Sequence, residues 1–280
     1  MSAMLYLVPT PIGNLGDISQ RCRETLEAAD FIAAEDTRVT LKLLNHLGIK
    51  KSLVSYYEHN KAAQGSRIVE RILGGETCAL VSDAGSPAIS DPGEDLVKQC
   101  AAAGIPVCAI PGPCAAITAL SISGQATGRF CFEGFLSTAK KSRREHLESL
   151  KSEQRTMIFY EAPHKLLTTL SDMAEVFGGD RPLSLCRELT KLHEEVVRTT
   201  LLEALERYTE NPPKGEFVLI VAGAKPEEKE IPSETDAAAR LAELIAQGLS
   251  RKDAVKQAAK ELGLSKNAVY EIALKDSEKE

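Results

Sequence analysis

The chain has 280 residues, 43% hydrophobic and 26% charged, ordinary values for a soluble globular protein with room for two domains. A net charge of −6, 5% aromatics and no Trp argue against bulk attraction to nucleic acid or an aromatic stacking surface, so any RNA contact has to come from a local patch. Seven cysteines (Cys22, Cys78, Cys100, Cys108, Cys114, Cys131, Cys186) without a CxxC pair read as reduced thiols of a cytoplasmic protein, and five histidines without HxH or HExxH spacing give no expectation of a metal site.

The opening "MSAMLYLVPTPIGN" has no basic leader and only five consecutive apolar residues before Pro9, which fits neither a signal peptide nor a membrane anchor. Apolar runs then recur at 4–8, 31–34, 78–81 and 107–110 with helical segments between them, the alternation of βαβ units on a mostly parallel sheet. Asp36 or Thr37 is expected to cap the helix after the second run, and Asp91, with Pro92 in the first turn, the helix after the third. From about residue 125 strands follow one another with fewer helices, in "RFCFEGFL", "TMIFYEA", "PLSLCREL" and "EFVLIVAG". The expected organisation is an N-terminal α/β domain over 1–124, a second over 125–223, a charged Pro-containing linker over 224–234, and a small helical tail over 235–280.

Three of the first four strands end in Gly/Pro-rich turns: "PTPIGNLGD" at 9–17, "SDAGSPAISDPG" at 82–93 and "PGPCA" at 111–115. Ligands in open α/β sheets bind outside the carboxyl ends of strands, so these loops are expected to line one cleft. None is a P-loop or a GxGxxG turn, and no Lys or Arg stands between Ile72 and Val97 or between Gln99 and Gly128. Phosphate binding normally supplies a cation, so the loops suit an uncharged or zwitterionic ligand held by backbone groups. Glu35, Asp36, Asp83, Glu133 and Glu161 stand at or just beyond strand ends, where a carboxylate can accept ribose hydroxyls or a proton.

The segments "LYLVPTPIGNLGDIS", "AAEDTR", "VSDAGSPAISDPG", "IPGPCA", "FEGFL", "FYEAPHKL", "CRELTKLHEE" and "GEFVLIVAG" occur in this order. Together they closely resemble the ribosomal RNA small subunit methyltransferase I family of the tetrapyrrole methylase superfamily. The resemblance runs from Leu5 to Gly223. It implies two α/β domains of the tetrapyrrole-methylase type with the cofactor cleft between them, followed here by the helical tail. It also implies S-adenosylmethionine (AdoMet) as cofactor, 2′-O-methylation of a cytidine in the decoding region of 16S rRNA within the small ribosomal subunit, and a homodimer. Carried over by motif, AdoMet would touch Asp83, Ala84, Gly85, Ser86, Pro87, Ala88 and Ile89. It would further touch Pro111, Gly112, Pro113 and Cys114, and Glu133, Gly134, Phe135 and Leu136. On the adenine side Tyr160, Glu161 and Ala162, running on to His164, and Glu216, Phe217 and Val218 would close the site. The turn "PTPIGN" departs from the Gly-rich GxGPG-like turn of tetrapyrrole methylases, which argues against a tetrapyrrole substrate.

Methyl transfer to an alcohol is an in-line displacement, dominated by positioning and helped by a base. Glu35, Asp36 and Arg38 of "EDTR", His59 and Asn60 of "YYEHN", and Asp83 are the candidates, with Glu35 or His59 taking the proton and Arg38 orienting a phosphate or the ribose. In "STAKKSRREHLESLK", 137–151, Ser142 and Glu145 have capping-box spacing. Lys140, Lys141, Arg143 and Arg144 would then crowd a helix N-terminus, where the dipole disfavours cations, and RNA phosphate is the expected partner. In the tail, Ala259, Gly263 and Val269 fall at helix-turn-helix spacing, with Ser265 capping the second helix. The alternatives from other classes are a tetrapyrrole-type small-molecule C-methyltransferase and a metabolite-sensing DNA-binding regulator.

Overall fold

The computed structural model describes residues 3–226 and 234–277, with no account of the side chains of residue 234 and of 272–277. Contacts divide the chain into two compact units, Met1–Ala224 and Lys225–Glu280. The first contains two five-stranded sheets. Most of the expected linker, residues 227–233, lies outside the described residues.

The first sheet is built from β1 (Leu5–Leu7), β2 (Phe31–Ala34), β3 (Ser52–Ser55), β4 (Cys78–Val81) and β5 (Val107–Ala109), in the spatial order β3-β2-β4-β1-β5, with every pair parallel. Between them run α1 (Gln20–Ala28), α2 (Thr37–Leu47), α3 (Lys61–Leu73) and α4 (Glu94–Ala102). The runs "FIAA" and "CALV" are buried at every residue because helices cover both faces of the sheet. Phe31, Ala33, Cys78 and Leu80 enter one core cluster, while Ile32, Ala34, Ala79 and Val81 enter the other, which is the period-two alternation of a strand. The edge strand β3 has no place among the expected strands: "SLVS" is short and half-polar, and it pairs only with β2.

Helix signals are met in part. The Asp36 carboxylate accepts from the Arg38 amide at 2.8 Å and caps α2, while Gly48, at φ +72°, ends it in the left-handed conformation. Asp91 is not the cap of α4. That helix begins two residues beyond Pro92, after Gly93, and its cap position offers no side-chain acceptor.

The second sheet, in the order β6-β7-β10-β8-β9, comprises β6 (Phe130–Phe135), β7 (Thr156–Glu161), β8 (Pro182–Arg187), β9 (Glu195–Thr200) and β10 (Phe217–Val221). Only β6 and β7 are parallel; the remaining pairs are antiparallel. On one face lie α6 (Lys140–Ser149), α7 (Pro163–Phe177) and α8 (Leu201–Glu210), whose apolar stripes meet Phe217, Leu219 and Val221. On the other, α5 (Ala115–Ser123) buries Ala116, Ala119 and Leu120 against Ile158, Val218 and Ile220. The chain thus passes from the first sheet to the second through α5. The strand β9, unexpected from the sequence, alternates poorly in polarity and owes its place to pairing with β8 over six residues.

The second unit packs α9 (Glu234–Ala246), α10 (Arg251–Leu262) and α11 (Lys266–Ser277) around Leu241, Leu244, Ala254, Ala258 and Val269. Ser250 caps α10 and Gly263, at φ +65°, ends it. The Ser265 hydroxyl accepts from the Ala268 amide at 3.2 Å, so the turn between α10 and α11 has the expected punctuation. Among the described residues no helix is long and apolar enough to cross a membrane.

Candidate active site

Strand order explains why the three loops meet. They follow β1, β4 and β5, and these strands are neighbours, as β4-β1-β5, with parallel ends pointing the same way. The loops are then stitched together. Thr10 and Gly85 exchange backbone hydrogen bonds at 2.9 and 3.0 Å, the Thr10 hydroxyl donates to the Ser82 carbonyl at 3.1 Å, and the Ser86 hydroxyl to the Pro113 carbonyl at 3.0 Å. Gly85, at φ +87°, is required here: a Cβ would meet Ile12 at 3.3 Å and carry a strained backbone. Ala88 and Ser90 hold φ of 69° and 61°, conformations costing about 1 to 3 kcal/mol each that a surrounding fold has to impose.

A cavity of about 360 Å³ lies where these loops face the second sheet, a volume within the range of small-molecule sites. From the first sheet Ile12, Glu35, 83–86, 89–91, Cys114 and Ala115 line it; from the second come Phe135, Tyr160–Ala162 in sequence, Cys186, Leu189, Lys191 and 216–218. Antiparallel register sets the second wall, placing Val218 opposite both Tyr160 and Cys186. The Ala116 amide, at the start of α5, donates to the Tyr160 hydroxyl at 3.1 Å, and burial pushes that phenol up to about 12. Tyr160 also meets the rings of Phe132 and Phe135 edge-on, at 5.1 and 5.5 Å.

Carboxylates dominate the rim. Burial raises Glu35 above the usual range, helped by the charge of Asp83. Burial likewise raises Asp83, whose carboxylate accepts from the Asp36 amide at 3.1 Å. Asp91 is pushed up to about 7, first by burial and then by Glu35. Glu161 is buried and accepts from the Ala162 amide at 2.9 Å and from the Thr169 hydroxyl at 2.5 Å. The cation in the lining, Lys191, is bound to Glu188 and Glu216 at 2.9 and 2.8 Å. The lining therefore presents apolar walls, carboxylates and backbone groups, with its ammonium already matched.

Of the sequence-predicted cofactor residues, the lining brings together Asp83, Ala84, Gly85, Ser86, Ile89, Cys114, Phe135, Tyr160, Glu161, Ala162, Glu216, Phe217 and Val218. Pro87, Ala88, Pro111, Gly112 and Pro113, in the same loops, are not part of the lining, and Gly134, at φ +63°, lies where a Cβ would meet the Ser90 hydroxyl at 3.1 Å. Glu133 turns to His146 at 2.9 Å, and Leu136 is buried in the core beneath α6 and α7. Glu35 lines the cavity. Arg38 does not; its guanidinium forks onto Asp36, which holds that carboxyl down to about 2. His59 is exposed beyond the edge strand β3, against Tyr57. Ile12, Ser90, Asp91 and Ala115 belong to the three loops expected to line the cleft, though none is among the expected cofactor residues, whereas Cys186, Leu189 and Lys191 were not expected at the site. Asp91 lay inside the right loop but under the reading of a helix cap, and Lys191 lay inside "CRELTKLHEE" with nothing local to turn it toward a cleft.

The basic segment 137–151 needs correction. The helix starts at Lys140 with Ala139 in the cap position and no side-chain cap bond, so Ser142 and Glu145 form no capping box. Arg143 is buried, donating to Asp172 at 2.7 Å and to the carbonyls of Ser137 and Thr138, and Arg144 is paired with Glu175. An internal pair and a surface pair use these arginines, which leaves Lys140 and Lys141 exposed.

A family model of tetrapyrrole (corrin/porphyrin) methylases matches residues 4–205, and one of the RsmI C-terminal HTH domain matches residues 232–277. Ribosomal RNA small subunit methyltransferase I of Synechocystis is 50% identical over 271 residues, 97% of both chains. The chain belongs to this family. Its namesake from Haemophilus influenzae is 47% identical over 100% of this chain and 99% of that one, and that of Halalkalibacterium halodurans 51% identical over 96% and 93%. Among solved structures, the methyltransferase CobJ superposes with a TM-score of 0.60 at 17% identity, over 80% of this chain and 95% of that one. A uroporphyrin-III C-methyltransferase of Thermus thermophilus, complexed with S-adenyl homocysteine, gives 0.56 at 14% identity over 78% and 97%. At such identities the likeness is one of fold.

Proposed function

We propose that the protein transfers the methyl group of AdoMet to the 2′-hydroxyl of a cytidine in the decoding region of 16S rRNA within the small ribosomal subunit. The observation that carries this reading is the meeting of loops from both sheets around one carboxylate-rimmed cavity, in a chain about half identical to rRNA small-subunit methyltransferases over nearly its whole length. The donor set suits AdoMet. Lys191 is matched by Glu188 and Glu216, so the lining favours a ligand without phosphate, and the bend at Gly85 lets backbone approach closely. When bound, AdoMet supplies an electrophilic methyl on its sulfonium.

The remaining work falls to the chain. The Asp83–Ile89 segment and Cys114 from one wall, and Tyr160, Ala162 and 216–218 from the other, would hold AdoMet. Phe135, Tyr160 and Leu189 exclude water. Glu35 takes the proton of the ribose hydroxyl; it lines the cavity and burial raises its carboxyl above the usual range, whereas His59 stands outside the lining. Arg38, held by Asp36 at the rim and 87% exposed, orients the RNA. We take the working protein to be a cytoplasmic homodimer. Seven unpaired thiols suit a reducing compartment.

The test is transfer of labelled methyl from AdoMet to small subunits lacking the modification, compared with naked rRNA, followed by nucleoside analysis. Label in 2′-O-methylcytidine is the expected result. Label in another nucleoside, or none on either substrate with AdoMet bound, overturns it.

A further inference from the structure

A second concavity opens on the opposite face of the second sheet, at the same strand ends as the cavity. Side chains alternate across β8, so Cys186 faces the cavity while Arg187 faces a groove of about 440 Å³ beside α8. Three cations line this groove, Arg187, Arg207 and Lys214, against one carboxylate, Glu195. Arg143 and Arg144 of α6 and Arg155 before β7, by contrast, each have a carboxylate of their own. Glu195 lies between Arg187, at 3.2 Å, and Arg207, at 2.7 Å, and Arg187 also donates to the Lys214 carbonyl at 2.8 Å. The guanidiniums are thereby fixed in place while several of their N–H groups stay unused, since each carries five donors.

An independent observation points to a missing acceptor or donor. Tyr208 lines the groove at 5% exposure, and its buried hydroxyl lies beside the Arg207 guanidinium without a well-formed hydrogen bond. A buried hydroxyl left alone costs about 1 to 3 kcal/mol. The carbonyl of Arg207 in the last turn of α8, which would repel an anion, is covered by the backbone and side-chain amides of Asn211.

We propose that this groove binds a phosphodiester of the substrate RNA. The proposal rests on the function given above. Residue 188 alone separates Arg187 from the lining residue Leu189, and residue 215 alone separates Lys214 from the lining residue Glu216, so a strand crossing this edge reaches both. Arg187 and Arg207 fork onto the phosphate oxygens, Lys214 adds charge, and the Tyr208 hydroxyl donates to an oxygen.

The experiment measures binding of the full-length protein to unmodified small subunits and to naked 16S rRNA across a salt series, for wild type, Lys214→Ala, Arg207→Gln and Tyr208→Phe. Lys98→Ala, which removes an exposed cation of α4, serves as control, and AdoMet affinity checks the fold. The expected result is affinity about five- to tenfold weaker at 0.1 M salt for Lys214→Ala and Arg207→Gln on both RNAs, with the slope of log affinity against log salt shallower by about 1. Tyr208→Phe weakens binding about threefold with its slope unchanged. Unchanged affinity and slope in Lys214→Ala with wild-type binding intact overturn the groove and leave the methyl transfer standing. Weakening on assembled subunits alone assigns the groove to an acidic protein and overturns the RNA assignment. Absence of methyl transfer by the wild type overturns the function itself, whatever the variants do.

Discussion

Glu35 and Asp91 lie in one cavity with Asp83, and burial rather than any single partner is the first cause of their raised affinity for protons. For Glu35 the consequence is kinetic. A general base contributes about 10²- to 10⁴-fold, so Glu35→Gln is expected to lower turnover by that range while AdoMet affinity stays within threefold, as single-turnover kinetics and calorimetry would show. In wild type the rate should rise with pH through the raised carboxyl titration. For Asp91 the consequence is stability. Its folded-state value of about 7 exceeds its ordinary 3.8, so the stabilising contribution is present below about 3.8 and is lost as pH rises toward 7. Asp91→Asn is therefore expected to raise the thermal midpoint by about 2 to 6 °C at pH 8, a gain that shrinks to nothing as pH falls toward 4. No gain at pH 8 would show that the aspartate is accommodated as an ion.

Elements are held by pairs that the sequence leaves open. The basic segment of α6 reads as an RNA surface only while its partners are unknown; folded, Arg143 and Asp172 are both about nine-tenths buried and bridge α6 to α7. Removing one member of a buried pair leaves an uncompensated charge, so Arg143→Ala is expected to cost about 3 to 5 kcal/mol in denaturant unfolding, whereas Lys141→Ala costs under about 0.5. Equal effects would return Arg143 to the surface. The stitched loops make the complementary prediction. Gly85→Ala strains a left-handed turn and presses on Ile12, and AdoMet affinity should fall about tenfold in calorimetry.

For the whole molecule, the two units have separate cores, so a chain ending at residue 226 is expected to fold and to bind AdoMet within twofold of full length. Retention of methyl transfer in that truncation would argue against a DNA-binding regulator; loss of AdoMet binding would show that the tail completes the site.

How much was legible follows from the range of the interactions involved. Strands buried on both faces announce themselves as apolar runs, and Asp36, Gly263 and Ser265 mark helix ends through local conformation and bonds to near neighbours, so β2, β4, β10 and the tail's turn were readable locally. Eight ordered motifs carried the family. What only tertiary structure decided depends on strand order and on partners far along the chain. The order β4-β1-β5 joins three loops, β3 sets His59 at the far edge, Asp172 takes Arg143 from the RNA, and Glu188 with Glu216 neutralises Lys191. A local pattern states which groups are available; whether a charge is free or spent is fixed by what folding brings within about 4 Å of it.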